Sequence, residues 1–200
     1  MAASAPATTA ELPTVAAWSP SDEGIQLPES DEFEKAIDAF TQAIALDPQY
    51  TKAYRNQGAT YERLGQLRRA VKDFDEAIRL DPQDAKAYYN RGDAYDELHE
   101  FQRAIDDFDK YIRLDPQHAE AYGNRGVTYG RLGQLQRAIE DFDEAIRIDP
   151  QNAEAYASRA LLNTLLGRDA DAQRDFDRAL GLETDRDLLE EAIEEAKRIR

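Results

Sequence analysis

Residues Ala53–Pro82 read AYRNQGATYERLGQLRRAVKDFDEAIRLDP, and the chain then writes them again. Residues Ala87–Pro116 read AYYNRGDAYDELHEFQRAIDDFDKYIRLDP, and Ala121–Pro150 read AYGNRGVTYGRLGQLQRAIEDFDEAIRIDP, each copy 34 residues after the last. A fourth, more divergent copy starts at Ala155. Self-similarity at a fixed period of roughly 20–50 residues marks a repeat architecture and decides the fold before any single element is considered.

Within one unit, Ala53, Tyr54, Gly58, Tyr61 and Leu64 recur at three- and four-residue spacing. After Gly65 the same holds for Leu67, Ala70, Val71, Phe74, Ala77 and Ile78. Each set traces one face of a 3.6-period helix, with charged residues on the other. Gly65, Gly133 and Gly167 stand between the two runs, where a left-handed residue ends a helix. The Asp-Pro pairs at 47–48, 81–82, 115–116 and 149–150 close each unit, because proline cannot continue the preceding helix. Neither helix of a pair can bury its face alone, so the pairs must stack. The expected fold is all-α, a solenoid of stacked antiparallel helix pairs.

The 34-residue period carries an aromatic at Tyr54, Tyr88, Tyr122 and Tyr156, and a small residue at Gly58, Gly92, Gly126 and Ala160. Tyr61, Tyr95 and Tyr129 follow, then Ala70, Ala104, Ala138 and Ala172, then Phe74, Phe108, Phe142 and Phe176. With the unit-closing prolines, this pattern resembles the tetratricopeptide repeat (TPR) family. The resemblance implies a right-handed superhelix with units at 51–84, 85–118, 119–152 and 153–186. Residues 18–50 read as a degenerate leading repeat, and 187–200 as a carboxy-terminal capping helix.

Residues 1–17 are rich in Ala, Thr and Pro and read as a tail or linker. In the leading repeat, Ser19-Pro20 starts a helix that Pro28 stops early, and Asp31 with Glu34 forms a capping box for a second helix. That second helix carries Phe33, Ile37, Phe40 and Ile44 on its apolar face, with Trp18, Ile25 and Leu27 as the nearest cover. At the other end, Leu188, Leu189, Ala192, Ile193, Ala196 and Ile199 form one apolar arc of a cap. His99 replaces the turn glycine, so a positive φ is expected there, and His118 near a helix start is expected on the solvated surface. Gly123 and Gly130 beside Gly126 leave bare backbone, read either as drift or as an approach for a ligand.

A net charge of −16 and a pI near 4.5 argue against nucleic acid or an anionic membrane surface as partner. There is no cysteine, hence no thiol or disulfide chemistry. No apolar run approaches the ~18 residues of a membrane span, so no membrane insertion is expected. No signal peptide is visible, which favours the cytoplasm, although an already processed exported protein would read the same. Asp-rich stretches such as Asp106-Asp107-Phe108-Asp109 lack the glycine-bearing loop of a calcium site and read as a solvated acidic helix face. No nucleophile–base pair, P-loop or zinc motif is present, so neither an enzyme nor a cofactor site is expected.

In TPR-like solenoids the first helices line the concave side, where extended peptides lie. Carried over, the resemblance places Lys52, Arg55, Asn56, Lys86, Tyr89, Asn90, Asn124, Arg131 and Ser158 in a peptide-binding groove. Carboxylates such as Glu62, Asp93, Asp96, Glu97, Glu120 and Glu154 share that wall. Asn56, Asn90 and Asn124 recur once per unit, and an amide can both donate to and accept from a peptide backbone. Common usage of Asn at this place in the repeat explains them equally well. A carboxylate clamp of the chaperone-binding kind is not expected, because Ala59 and Glu120 stand where a polar donor and a basic residue belong. Lys52, Arg55 and Lys86 suggest a partner with an acidic segment. The expected function is a non-catalytic interaction scaffold that holds an extended peptide. The alternative is a structural protein that self-assembles, as a dimer or filament, through its amino-terminal end or tail.

Overall fold

The computed structural model describes residues 30–182 and 184–200. The expectations for the tail, for the first helix of the leading repeat and its Trp18, Ile25 and Leu27, and for the Asp31 cap lie outside the described residues and side chains. Within them run ten helices: α1 (Ser30–Leu46), α2 (Thr51–Arg63), α3 (Leu67–Leu80), α4 (Ala85–Glu97), α5 (Phe101–Leu114), α6 (Ala119–Arg131), α7 (Leu135–Ile148), α8 (Ala153–Leu165), α9 (Asp169–Leu180) and α10 (Arg186–Ile199). No strand occurs among the described residues. Each helix from α1 to α8 packs on the next, and α10 packs on α8. Successive first helices also touch (α2 on α4, α4 on α6, α6 on α8), whereas no pair of second helices packs comparably. The first helices therefore line the tighter, inner side of the curve.

The pairs close where the turn chemistry requires it. Gly65, Gly133 and Gly167 have φ of 68°, 73° and 70°, and His99 at the same place has φ of 60°. Each second helix in the three closely matched units ends at an Asp-Pro, whose aspartate accepts a hydrogen bond from the backbone two residues on (Gln83, Gln117 and Gln151). Asp84 and Asn152 cap α4 and α8 through their side chains. His118 occupies the same place before α6 and makes no such bond. Its ring turns inward, edge-on to Tyr89 and Tyr111 with centroids 5.7 and 5.3 Å away, and Nδ1 is buried without a partner. His118 keeps 37% of its side chain exposed, with Nε2 toward Glu120, so the surface position expected for it holds in part, while the rest of the imidazole packs on neighbouring rings where a shorter Asp or Asn reaches back to the helix end.

The core is written once per unit. Ala70, Phe74, Ala77, Ala104, Phe108, Ala138 and Ala145 are almost wholly buried. A methyl group on Gly58 or Gly92 would meet the Phe74 or Phe108 ring at 2.7 or 2.9 Å, so a hydrogen is all that fits there. In the last unit Ala160 takes the glycine's place and is fully buried, and Phe176 is half-buried beside a cleft toward the terminal helix.

Two expectations change. Asp107, Asp141 and Asp175 do not face solvent; each is about 5–6% exposed. In the terminal helix Leu189, Ile193 and Ala196 are buried, but Leu188 and Ile199 stay 68% and 70% exposed, because α10 rests mainly on α8.

Replacing Phe108 by Ala removes a fully buried ring and should cost about 3–5 kcal/mol in denaturant unfolding; a variant that unfolds with the parent would show that the ring is not core. His99→Gly relieves a positive φ that costs a side chain on the order of 1 kcal/mol. Its melting temperature should rise or stay level. A drop would mean that the edge-on contact of His99 with Phe101, at 5.6 Å, carries more than the backbone does.

Candidate functional site

The stack carries a ladder of ion pairs, each an arginine between one buried aspartate and one solvent-accessible aspartate. Arg91 on α4 reaches forward to Asp107 of α5 through two hydrogen bonds of 2.7 Å, and back to Asp75 of α3 at 2.5 Å. Arg125 makes the same clasp with Asp141 and Asp109, and Arg159 with Asp175 and Asp143. A guanidinium presents donors in a planar fork, so one side chain can bind a carboxylate bidentately and still donate to a second. Burial pushes the Asp107 and Asp141 carboxyls up, and the guanidinium bonds pull against it. Each clasp joins two units, because one carboxylate comes from the preceding pair.

Above these clasps, α2, α4, α6 and α8 enclose a concave pocket of about 430 Å³. Its wall carries Glu62, Asp93, Asp96, Glu97, Glu120 and Glu154. Asp96 is occupied: it accepts from Thr128 Oγ1 at 2.9 Å and pairs with Arg131. Asp93 accepts one bond, from Asn124 Nδ2 at 2.9 Å. Burial pushes the Asp93 carboxyl up to about 7 against that bond, with Glu120, Asp96 and Glu97 adding repulsion. Glu62 is pushed up to about 8, first by burial and then by Asp93 and Glu97, while Arg63 opposes the shift.

The residues expected in the groove divide. Tyr89, Asn124 and Arg131 line the pocket together. Asn124 donates to both Tyr89 Oη and Asp93 Oδ1 at 2.9 Å, so its amide hydrogens are already spent on α4. Asn90 has no such link, since α2 offers Arg55 and Ala59 at the matching positions. The uniform amide ladder therefore changes character at α6. Arg55 is likewise engaged: it pairs with Asp84 at 2.9 Å, with both side chains largely buried, and ties α2 to the start of α4. Lys52 and Lys86 are exposed, and Asn56, Asn90 and Ser158 are half-buried. The carboxylates that dominate the pocket were visible on the wall from register alone. The Arg–Asp clasps leave a trace in the sequence, an Arg with an Asp sixteen residues on in three units, which helical periodicity does not single out.

A tetratricopeptide repeat model matches residues 29–85, 57–119 and 89–153. The chain belongs to the TPR family. No curated protein matches it. Among solved structures, this TPR chain is similar to MamA, at 30% identity over 80% of this chain and 96% of that one, with a TM-score of 0.74. It is similar in fold to YrrB, described as a TPR protein with an unusual peptide-binding site, at 22% identity over 82% and 84%, with a TM-score of 0.72. The first TPR domain of Spaghetti (RPAP3), bound to the HSP90 peptide SRMEEVD, matches at 25% identity over 60% of this chain and 96% of that one, with a TM-score of 0.58. No described helix of this TPR chain is long and apolar enough to cross a membrane.

Breaking one clasp of the TPR stack tests its role. Arg125→Ala strands Asp141 in the interior, and losing one partner of a buried pair costs about 3–5 kcal/mol. The deficit should shrink as pH falls toward 4, because protonation removes the stranded charge. A deficit that does not change with pH would assign the loss to packing.

Proposed function

We propose that this chain is a non-catalytic protein-interaction scaffold whose inner groove takes an extended partner segment and seats a Lys or Arg side chain in the pocket between α4 and α6. One observation carries this reading: Glu62, Asp93, Glu97, Glu120 and Glu154 converge on a concave space, with like charges pushing on one another. A cation set among them relieves that repulsion and gains from the partial exclusion of water. The charge is opposite to the acidic segment expected from Lys52, Arg55 and Lys86. Of these, Arg55 is engaged by Asp84, and the two lysines lie outside the pocket lining. The neighbour bound to SRMEEVD holds an acidic peptide, which the carboxylates here would repel.

Calorimetry with extended peptides tests this. A Lys- or Arg-bearing peptide should bind, with affinity rising as pH increases through about 7 to 8, where Asp93 and Glu62 ionise. Binding should weaken with salt. Glu62→Gln with Asp93→Asn should reduce affinity about tenfold or more, as expected for losing 1.4 kcal/mol of charge interaction. Equal or tighter binding of SRMEEVD, or no loss in the double variant, would refute the cationic reading.

Self-assembly through the amino-terminal end is the second reading. It rests on α1, where Leu46 is 88% exposed and Phe33, Ile37, Phe40 and Ile44 are only half-buried. Light scattering separates the two: a monomer at micromolar concentration disfavours assembly, and a concentration-dependent mass favours it.

A further inference from the structure

At one exposed place the first full unit departs from its neighbours. In α5, Gln102 donates to Asp106 Oδ1 at 3.1 Å, and in α7, Gln136 donates to Glu140 Oε1 at 3.4 Å. Each of these helices thus carries a satisfied pair one turn apart on its outer face. In α9 the two positions hold Ala170 and Arg174, and Arg174 pairs with Asp171. In α3 they hold Arg68 and Lys72. Both are exposed, and like charges at this spacing repel.

The carboxylates around them are engaged elsewhere. The Arg68 side chain, 82% exposed, lies 4.0 Å from Glu100, which Arg103 already holds at 2.5 Å. On α3 itself, Asp75 pairs with Arg91 and Glu76 with Arg79. Lys72 makes no ion pair among the described residues. Arg69, beside them, is held by neutral groups: it donates to Gln66 Oε1 at 2.8 Å and lies over the Tyr61 ring. Next to these cations is a cleft of about 440 Å³, walled by Gly65, Gln66, Leu67, Arg68, Arg69 and Leu98. The half-buried Leu67 and Leu98 are its apolar lining.

We propose that this edge, at the turn between α2 and α3, is a second docking surface that takes an acidic segment of a partner protein carrying one bulky apolar residue. It shares no residue with the lining of the inner pocket. The apolar side chain enters the cleft against Leu67 and Leu98, and carboxylates on either side of it bridge Arg68, Arg69 and Lys72. A guanidinium suits this role, because it can bind a carboxylate bidentately. A carboxylate set between Arg68 and Lys72 also removes their mutual repulsion. On a chain of net charge −16 an acidic partner is repelled from most of the surface, so long-range forces steer it to this edge. The leucine lining favours a peptide over a bare anion.

Two-dimensional NMR of the isotope-labelled full chain, titrated with the capped peptide EELEE, tests this. Amide signals should shift at residues 64–72 and 98–103, and not at Tyr89 or Asn124 of the groove. Affinity should fall as salt rises. Arg68→Gln with Lys72→Glu copies the pair that α7 already carries, so the chain should fold as before. It should bind EELEE about tenfold more weakly. The peptide EEAEE should also bind more weakly, since it leaves the cleft empty. Glu62→Gln with Asp93→Asn alters the groove alone and should leave EELEE binding unchanged. The docking surface is overturned if EELEE does not bind, if its shifts fall in the groove, or if the variant at 68 and 72 binds as the parent does. Equal binding of EEAEE, or displacement of EELEE by an equal concentration of inorganic phosphate, would show a general anion patch and overturn it as well.

Discussion

In the first two full units the ring of the second helix lies so close to a glycine of the first that no methyl group fits between them. That approach sets how near the two helices of a pair can come. It thereby decides which side chains are left to meet the next pair. Two short helices with one apolar face each cannot bury enough surface to be stable alone. The tight pair gains its remaining burial by stacking, and the solenoid follows. The last unit, the most divergent in sequence, has Ala160 in the glycine's place.

The charged groups follow the same layered logic. The clasps place three arginines between pairs of aspartates that come from successive units. A buried ion pair often adds little net stability over an apolar pair of the same shape, whereas stranding one partner is costly. Here it distinguishes one stacking register from another, because a slipped unit would strand a carboxylate in the interior. The pocket above the clasps is the reverse case. Its carboxylates are crowded and partly shielded, and Arg131 answers only Asp96 directly. That crowding is the physical ground on which a cationic partner is proposed.

The period, the turn glycines, the closing prolines and the alternation of faces were legible along the chain because they are local. A left-handed turn at His99 follows from its alignment with Gly65 and Gly133. Likewise Phe74, Phe108 and Phe142 are core because each recurs on the apolar face of its helix. Which inner-face residues are free to bind was not local. Arg55, Asn124 and Arg131 read as ligand-gripping groups from residue type, yet each is held by a residue of another helix, Asp84, Tyr89 with Asp93, or Asp96. Register indicates which way a side chain points. Whether its hydrogen bonds are already used depends on a neighbour some thirty residues away, brought near by stacking.

The same division separates Asp107 from Asp106. Both are acidic and adjacent, but Asp107 is buried and Asp106 exposed, because one faces Arg91 and the other faces solvent. By itself the sequence determined the repeat, the helix pairs and the stack, since 3.6-residue periodicity and turn chemistry act over a few residues. Only the tertiary structure decided which inner-face cations are already engaged and which carboxylates stay crowded in the pocket, since both depend on the distances between charges that stacking brings together.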